Sequence, residues 1–294
     1  MKNTPNEQNQ NTDSALVIED ASPVIAAMER ASIDVQITTA KAYPRELSRV
    51  KAKMLSFATL DEETAASCFY TLPTRKGGDK PIQGPSARLA EIAVASYGHI
   101  RAGSRVISND GKTITAQAYC HDLENNVHVA LETKRRITTR TGQTFSEDMQ
   151  VVVGNAACSI AFRNAVFKVV PMALIKPVFE AAKRVAIGDV KTLAARRSAA
   201  VEYFLKLGVH RDRILSVLGV TSIEDIQLQH LETLTGLRTA IADGDTTVEE
   251  AFPAPATPER PMFRKPVLPP ATPPADQPSA QPAPAEPAAE EVKP

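Results

Sequence analysis

The run HIRAGSRVISNDGKTITAQAYCHDLENNVHVALETKRRITT, residues 99–139, decides the fold of this 294-residue chain. It breaks into three alternating stretches, HIRAGSRVIS, TITAQAYCH and VHVALETKRRITT, separated by NDGK and DLENN. Alternation with a period of two marks a half-buried strand, because successive side chains leave a pleated backbone on opposite faces. Asn109-Asp110-Gly111 is a hairpin signal for the first connection. In the first strand Ile100, Ala102, Ser104 and Val106 oppose Arg101, Gly103, Arg105 and Ile107. In the second, Ile114, Ala116, Ala118 and Cys120 oppose Thr115, Gln117, Tyr119 and His121. In the third, Val127, Val129, Leu131 and Ile137 oppose His128, Lys134, Arg136 and Arg140, while Arg135 falls on the apolar parity. Each strand therefore has one apolar face, which must be covered, and one polar, mostly cationic face.

Helical patterns flank this meander. Upstream, residues 23–42 follow Ser22 with a proline at the first helical position, and 45–58 is a second helix. DEETAASC gives a short third helix and FYTLP (69–73) a short strand, before the basic, glycine-containing loop RKGGDKP at 75–81. Ser86 caps a helix carrying Leu89, Ile92, Ala93, Ser96 and Tyr97, which ends at Gly98. Downstream, a helix runs from about Glu147 to Pro171, and others follow at about 173–186, 190–207, 211–218 and 222–242, with turns at Gly188, Gly208, Gly219 and Gly244. The expected class is α+β: an antiparallel three- to four-stranded β-meander packed on helices, a β-β-β-α core, followed by a small helical module. The expected organisation is a disordered segment 1–21, a core 22–207, an acidic helical module 208–252 and a disordered Pro/Ala-rich tail 253–294.

Formal net charge is zero, but as a sum of opposites. Residues 75–206 hold 20 Lys/Arg against 11 Asp/Glu, hence +9, whereas 207–252 hold 3 against 8 and 1–74 hold 7 against 10. A basic centre between acidic flanks points to a polyanionic partner or to a solvated basic surface. Three scattered cysteines (Cys68, Cys120, Cys158) form no disulfide framework, and no long apolar run or signal peptide is evident. Reduced thiols in a soluble, cytoplasmic protein without membrane contact are the expectation.

Catalytic signatures fall short. Gly111-Lys112-Thr113 lacks the glycine that a phosphate loop needs five residues before its Gly-Lys pair, since Val106 stands there, so the hairpin reading prevails. His99, His121 and His128 lack metal-ligand spacing, and acidic pairs such as Glu147-Asp148 lie where helix N-termini favour them. The expectation is a protein without enzymatic activity, cofactor or metal.

What remains is a surface. Arg101, Arg105, Lys134, Arg136 and Arg140 share one face of the three strands, with Thr115, Gln117 and Tyr119 between them. Such cations can track a phosphate backbone and the tyrosine can stack on a base; equally, Lys and Arg populate ordinary solvent-facing sheets. The low acidic content of the face favours binding. Arg163 and Lys168 on the following helix, with Lys176, Lys183, Arg184, Arg196 and Arg197 beyond it, are candidates for a second wall of a groove.

The stretch KPIQGPSARLAEIAVASYGHIRAGSRVISNDGKTITAQAYCHD resembles the core of phage single-strand annealing proteins of the RecT/Red-beta type. There a glycine-led helix, matched by Gly84, Leu89, Ala93 and Gly98, precedes a short meander, and a basic helix then runs into a proline. ACSIAFRNAVFKVVP is similar to that helix, with Arg163, Lys168 and Pro171. The likeness spans about residues 68–185 and is one of pattern and element order. It implies rings or filaments of identical subunits, single-stranded DNA in a basic groove, and ATP-independent annealing in a bacterial host's cytoplasm. On that basis Lys134 and Arg136 face the groove, and Arg135 turns to a neighbouring subunit or strand. An exonuclease or host single-strand binding protein is the expected further partner, through 208–252 or the tail. Two other readings stay open: a single-strand binding protein that protects without annealing, and a protein–protein interaction factor.

Overall fold

The computed structural model of the chain describes residues 22–73, 81–139 and 141–254. The protein is α+β. Its centre is an antiparallel sheet of β3 (Ile100–Asn109), β4 (Thr113–Asp122) and β5 (Val127–Arg136), in that spatial order. The β3–β4 connection is the expected hairpin: Gly111 takes φ +78°, and the Asp110 carboxylate accepts the backbone N–H groups of Lys112 at 2.8 Å and Thr113 at 2.6 Å. Register then places Arg101 opposite His121 and His121 opposite His128, with Arg105, Gln117 and Glu132 forming another row. A bulge between Val106 and Ser108 interrupts the β3 ladder.

One helix covers the inner face. α5 (Glu147–Val169) starts at Ser146, whose hydroxyl accepts the Met149 N–H, and lays Ala157, Ala161 and Ala165 against Ala116, Ala118 and Cys120 of β4 in one buried core. Small residues on both surfaces allow close approach of helix and sheet. Burial on β3 reaches only Ile100 and Ala102; Ser104 and Val106, expected on the covered face, are exposed. Around this unit pack α2 (Leu47–Ala58), α4 (Ala87–Tyr97) and α6 (Met172–Ile187), contributing Met54, Leu89, Ala93, Ile175 and Val178. Ser86 caps α4, as its position before the apolar repeat predicts, and Gly98 ends it at φ +69°.

Two local readings need correction. β1 (Phe69–Leu72) does not stand alone: Ile82–Pro85 pairs with it as β2, Tyr70 facing Gly84. Four residues ending in Gly-Pro carry too little alternation to announce a strand. A Cβ on Gly84 would lie 2.7 Å from the Tyr70 hydroxyl oxygen, so the glycine serves the neighbouring ring. Residues 222–227 are a turn, in which Asp225 accepts from Ser222 N–H and the Ser222 and Thr221 hydroxyls, and the helix begins only at Leu228. The basic loop 75–81 lies outside the described residues apart from Pro81, as do Arg140, residues 1–21 and the tail from 255.

The C-terminal helices α7 (Leu193–Lys206), α8 (Arg211–Leu218), α9 (Leu228–Ala242) and α10 (Val248–Ala251) gather their own core around Phe204, Ile226, Leu234 and Phe252. They also dock on β1. A Cβ on Gly236 of α9 would collide with the Thr71 Oγ1 and sit 2.8 Å from the Thr71 backbone nitrogen. The Thr239 hydroxyl donates to the Ala66 carbonyl of α3 (Glu62–Ser67) at 3.0 Å. Upstream, α1 (Ser22–Ala42) is exposed along most of its length. Among the described residues no helix is long and apolar enough to cross a membrane.

The segment between α1 and α2 is fixed by a buried ion pair. The Arg45 guanidinium meets both Asp122 carboxylate oxygens at 2.7 and 2.5 Å, reaches Glu124 at 3.1 Å and lies 3.9 Å above the Tyr97 ring. Burial pushes the Asp122 carboxyl upward, but hydrogen bonds from Arg45 and Asn125 and the Arg45 charge outweigh it and hold the group at about 2. A carboxylate whose folded pKa is depressed contributes stability above its unfolded value, and that contribution disappears as pH falls through the folded value. Acid titration followed by circular dichroism should therefore show about 2 kcal/mol of stability lost between roughly pH 4 and pH 2, and Asp122→Asn should remove that part of the pH dependence. Gly236→Ala should overpack the α9–β1 contact and cost about 1–3 kcal/mol in urea melts; a melt equal to that of the parent chain would refute the close contact.

Candidate nucleic-acid interface

The face of β3-β4-β5 opposite α5 carries Arg101, Arg105, Tyr119, Lys134 and Arg136, together as the alternation predicts. Arg105, Lys134 and Arg136 are exposed, and among the described residues no carboxylate pairs with them. Arg101 donates to the Gln36 side chain of α1 at 3.2 Å. Thr115 and Gln117 lie between the cations, Thr115 buried and Gln117 half-buried. One carboxylate shares the outward positions, Glu132, in the row with Gln117 and Arg105, and the alternating pattern around it gave no weight to its charge.

Tyr119 lies down on the sheet. A Cβ at its cross-strand neighbour Gly103 would fall 3.1–3.3 Å from the tyrosine ring atoms, so the glycine creates the shelf on which the ring rests. His128 continues it, its ring 6.3 Å from Tyr119 with only 18° between the planes, and His121 meets His128 edge-on at 5.5 Å. Tyr119 is 40% exposed and His128 is exposed. A flat aromatic surface bordered by cations can take a base against the ring and a phosphate on each side. His128 is the residue that motif reading missed: its parity pointed outward, but only the register places it beside Tyr119.

Other expected site residues are engaged elsewhere. Arg135, expected to turn to a neighbouring subunit or strand, is engaged within the chain: on its inward parity it donates to the carbonyls of Gly244 at 2.7 Å and Asp245 at 3.4 Å. Arg163 pairs with the buried Asp245 carboxylate at 2.8 Å and lies 4.4 Å over the Tyr70 ring. Lys183 is taken up by Glu232 of α9 and by Gln83, and Arg196 by Glu62 and the carbonyls at the end of α6. Lys168 and Arg184 are exposed on α5 and α6, and Arg197 is half-buried on α7. Among the described residues α5 does not form a second wall opposite the cationic sheet face, because it packs on the other side of the sheet. In the α9–α10 turn, burial and the neighbouring Asp245 charge push the Asp243 carboxyl up.

Burial raises the Cys68 and Cys120 thiols to about 12, which leaves them packing residues rather than nucleophiles. Among the described residues no group of three or more His, Cys, Asp or Glu is placed to hold a metal ion. Comparisons of the chain with protein-family models, with curated proteins and with solved structures returned no match.

The two adjacent arginines should separate cleanly in stability measurements. Arg135→Met removes charged donors from two backbone carbonyls and should cost about 1.5–3 kcal/mol in chemical denaturation. Arg136→Met, on the solvent side, should shift stability by less than about 0.5 kcal/mol. Equal losses would contradict the opposite orientations.

Proposed function

We propose that the chain binds single-stranded DNA without ATP and anneals complementary strands, the activity of phage-type single-strand annealing proteins. The observation that carries this reading is the outer face of β3-β4-β5, where Arg101, Arg105, Lys134 and Arg136 surround an exposed tyrosine lying flat over Gly103. A protein that pairs any two complements must hold backbones while leaving base edges free to search. Cations take phosphates whatever the sequence, and a flat ring stacks on any base because every base has a π-face. Groups arranged to read base edges would defeat this purpose. Of the polar groups between the cations, Gln117 is half-buried and Thr115 is buried, while Glu132 and His128 stand exposed beside them.

The site now comprises the sheet face alone. Arg135, Arg163 and Lys183 leave the proposed contact set because they hold the C-terminal helices; Lys168 and Arg184 stay as exposed cations away from that face. The protein works in a bacterial cytoplasm as a homo-oligomeric ring or filament, and an exonuclease or host single-strand binding protein contacts residues 208–252 or the tail. A protective coat that binds without annealing is the second reading, favoured by the same face and separated from the first by one assay.

That assay mixes the full chain with two complementary oligonucleotides, without ATP, and follows duplex formation. Accelerated pairing that Lys134→Glu/Arg136→Glu abolishes is the expected result. Binding without acceleration would leave the protective reading, and no binding at low salt would remove both. Four cations on phosphates should give a log–log salt slope of roughly −3. Tyr119→Ala should weaken binding by about 1–3 kcal/mol while Tyr119→Phe retains it, as stacking requires a ring and no hydroxyl.

A further inference from the structure

α1 carries two apolar faces, and the body of the protein covers only one. The helix meets the body with Ile33, Ile37 and Ala40, and through Gln36 with Arg101, and leaves Val24, Ile25, Met28 and Val35 at 58–69% exposure. A surface helix needs one apolar stripe to hold it down, so a second stripe on the outer side belongs to an interface. The spacing identifies the partner. Val24, Met28, Ala31, Val35, Thr38 and Ala42 follow an unbroken 4-3-4-3-4 repeat, and all six are exposed. The Thr38 hydroxyl is satisfied by the Asp34 carbonyl at 2.8 Å, so its methyl group serves as the apolar surface at that position. A strict alternation of threes and fours keeps one seam aligned with a second helix bearing the same repeat, the geometry of a coiled coil.

We propose that two copies of this chain associate through their α1 helices as a parallel two-stranded coiled coil. Orientation follows from charge. Met28 and Val35 occupy the a positions and Val24, Ala31 and Thr38 the d positions, which puts Asp34 at g. Antiparallel pairing on this seam sets Asp34 against the Asp34 of the other copy at the centre, whereas parallel pairing sets it against Thr39. A β-branched residue at a, Val35, suits two strands. The residues that meet the body fall at the positions remote from the seam, Ile33 and Ala40 at f, Gln36 at b and Ile37 at c. The two bodies therefore lie on outer sides of the helix pair and do not compete for it. The Arg101–Gln36 bond places the edge of each cationic sheet next to this pair. Resting on the reading proposed above, the pairing sets two strand-binding faces within one particle, one for each complement.

Two measurements on the full chain test it. Ala31→Cys at a d position, in a chain carrying Cys158→Ala because Cys158 is only partly buried, should cross-link to itself on mild oxidation, giving a covalent dimer that the Cys158→Ala chain alone, with Cys68 and Cys120 buried, does not give. Met28→Glu/Val35→Glu should lower the sedimentation mass of the DNA-free chain by about two-fold at equal concentration while its circular dichroism spectrum stays that of a folded protein, since neither side chain packs in the body of one copy. Absence of the Ala31→Cys dimer, or an unchanged mass in the double variant, would overturn the coiled coil. Single-strand binding by the double variant keeps the two proposals apart: retained binding with halved mass supports the pairing independently of annealing. A monomeric parent chain that still binds DNA would overturn the pairing alone.

Discussion

The packing of alanine on alanine between α5 and β4 sets the rest of the molecule. Ala157, Ala161 and Ala165 recur every four residues along one line of the helix, and Ala116, Ala118 and Cys120 recur every two along one face of the strand. The two periods meet in a single seam, and along it neither line has a side chain larger than cysteine to hold them apart. Once that face of β4 is committed, parity leaves no choice about its other side. Gln117, Tyr119 and His121 must point outward, and register carries the cations of β3 and β5 to the same face. The candidate interface is thus a by-product of how the inner face packs.

Opposite orientations of neighbouring arginines follow from the same rule. Arg136 stands on the outward parity and meets solvent; Arg135, one residue earlier, enters the layer behind the sheet and binds the Gly244–Asp245 turn. Arg163 reaches the same turn from α5. Cations that look equivalent in a count of charge therefore divide between two tasks. Of the cations between residues 75 and 206, Arg135, Arg163 and Lys183 bind the C-terminal helices and their turns, while Arg101, Arg105, Lys134 and Arg136 stay on the sheet face.

Short-range chemistry was legible and long-range chemistry was not. The Asn-Asp-Gly hairpin, the Ser86 cap and the glycine-terminated helices all depend on neighbours within four residues, and their residue types announce them. The outward cations and Tyr119 were legible because strand parity needs no knowledge of the partner. β2 was missed because its evidence lies in the pairing of Tyr70 with Gly84 across a loop. The roles of Arg135 and Arg163 were misread because their acceptors lie 109 and 82 residues away, a separation to which no local pattern responds. Gly103 was visible only as a gap in the alternation. Its use as a shelf for Tyr119 needs the register.

The seat of α9 on β1 has a consequence for the order in which the chain matures. Thr71 and the Gly236 that closes over it are 165 positions apart, and the Thr239 bond to Ala66 spans 173. Contacts this distant in sequence form late, after the entropy of closing the intervening chain has been met. During synthesis the β3-β4-β5 meander and α5 are complete while β1 still lacks its cover. Until the last helices leave the ribosome, the nascent chain carries a finished sheet beside an unsealed strand, and a chain that stops short of Gly236 would keep it so.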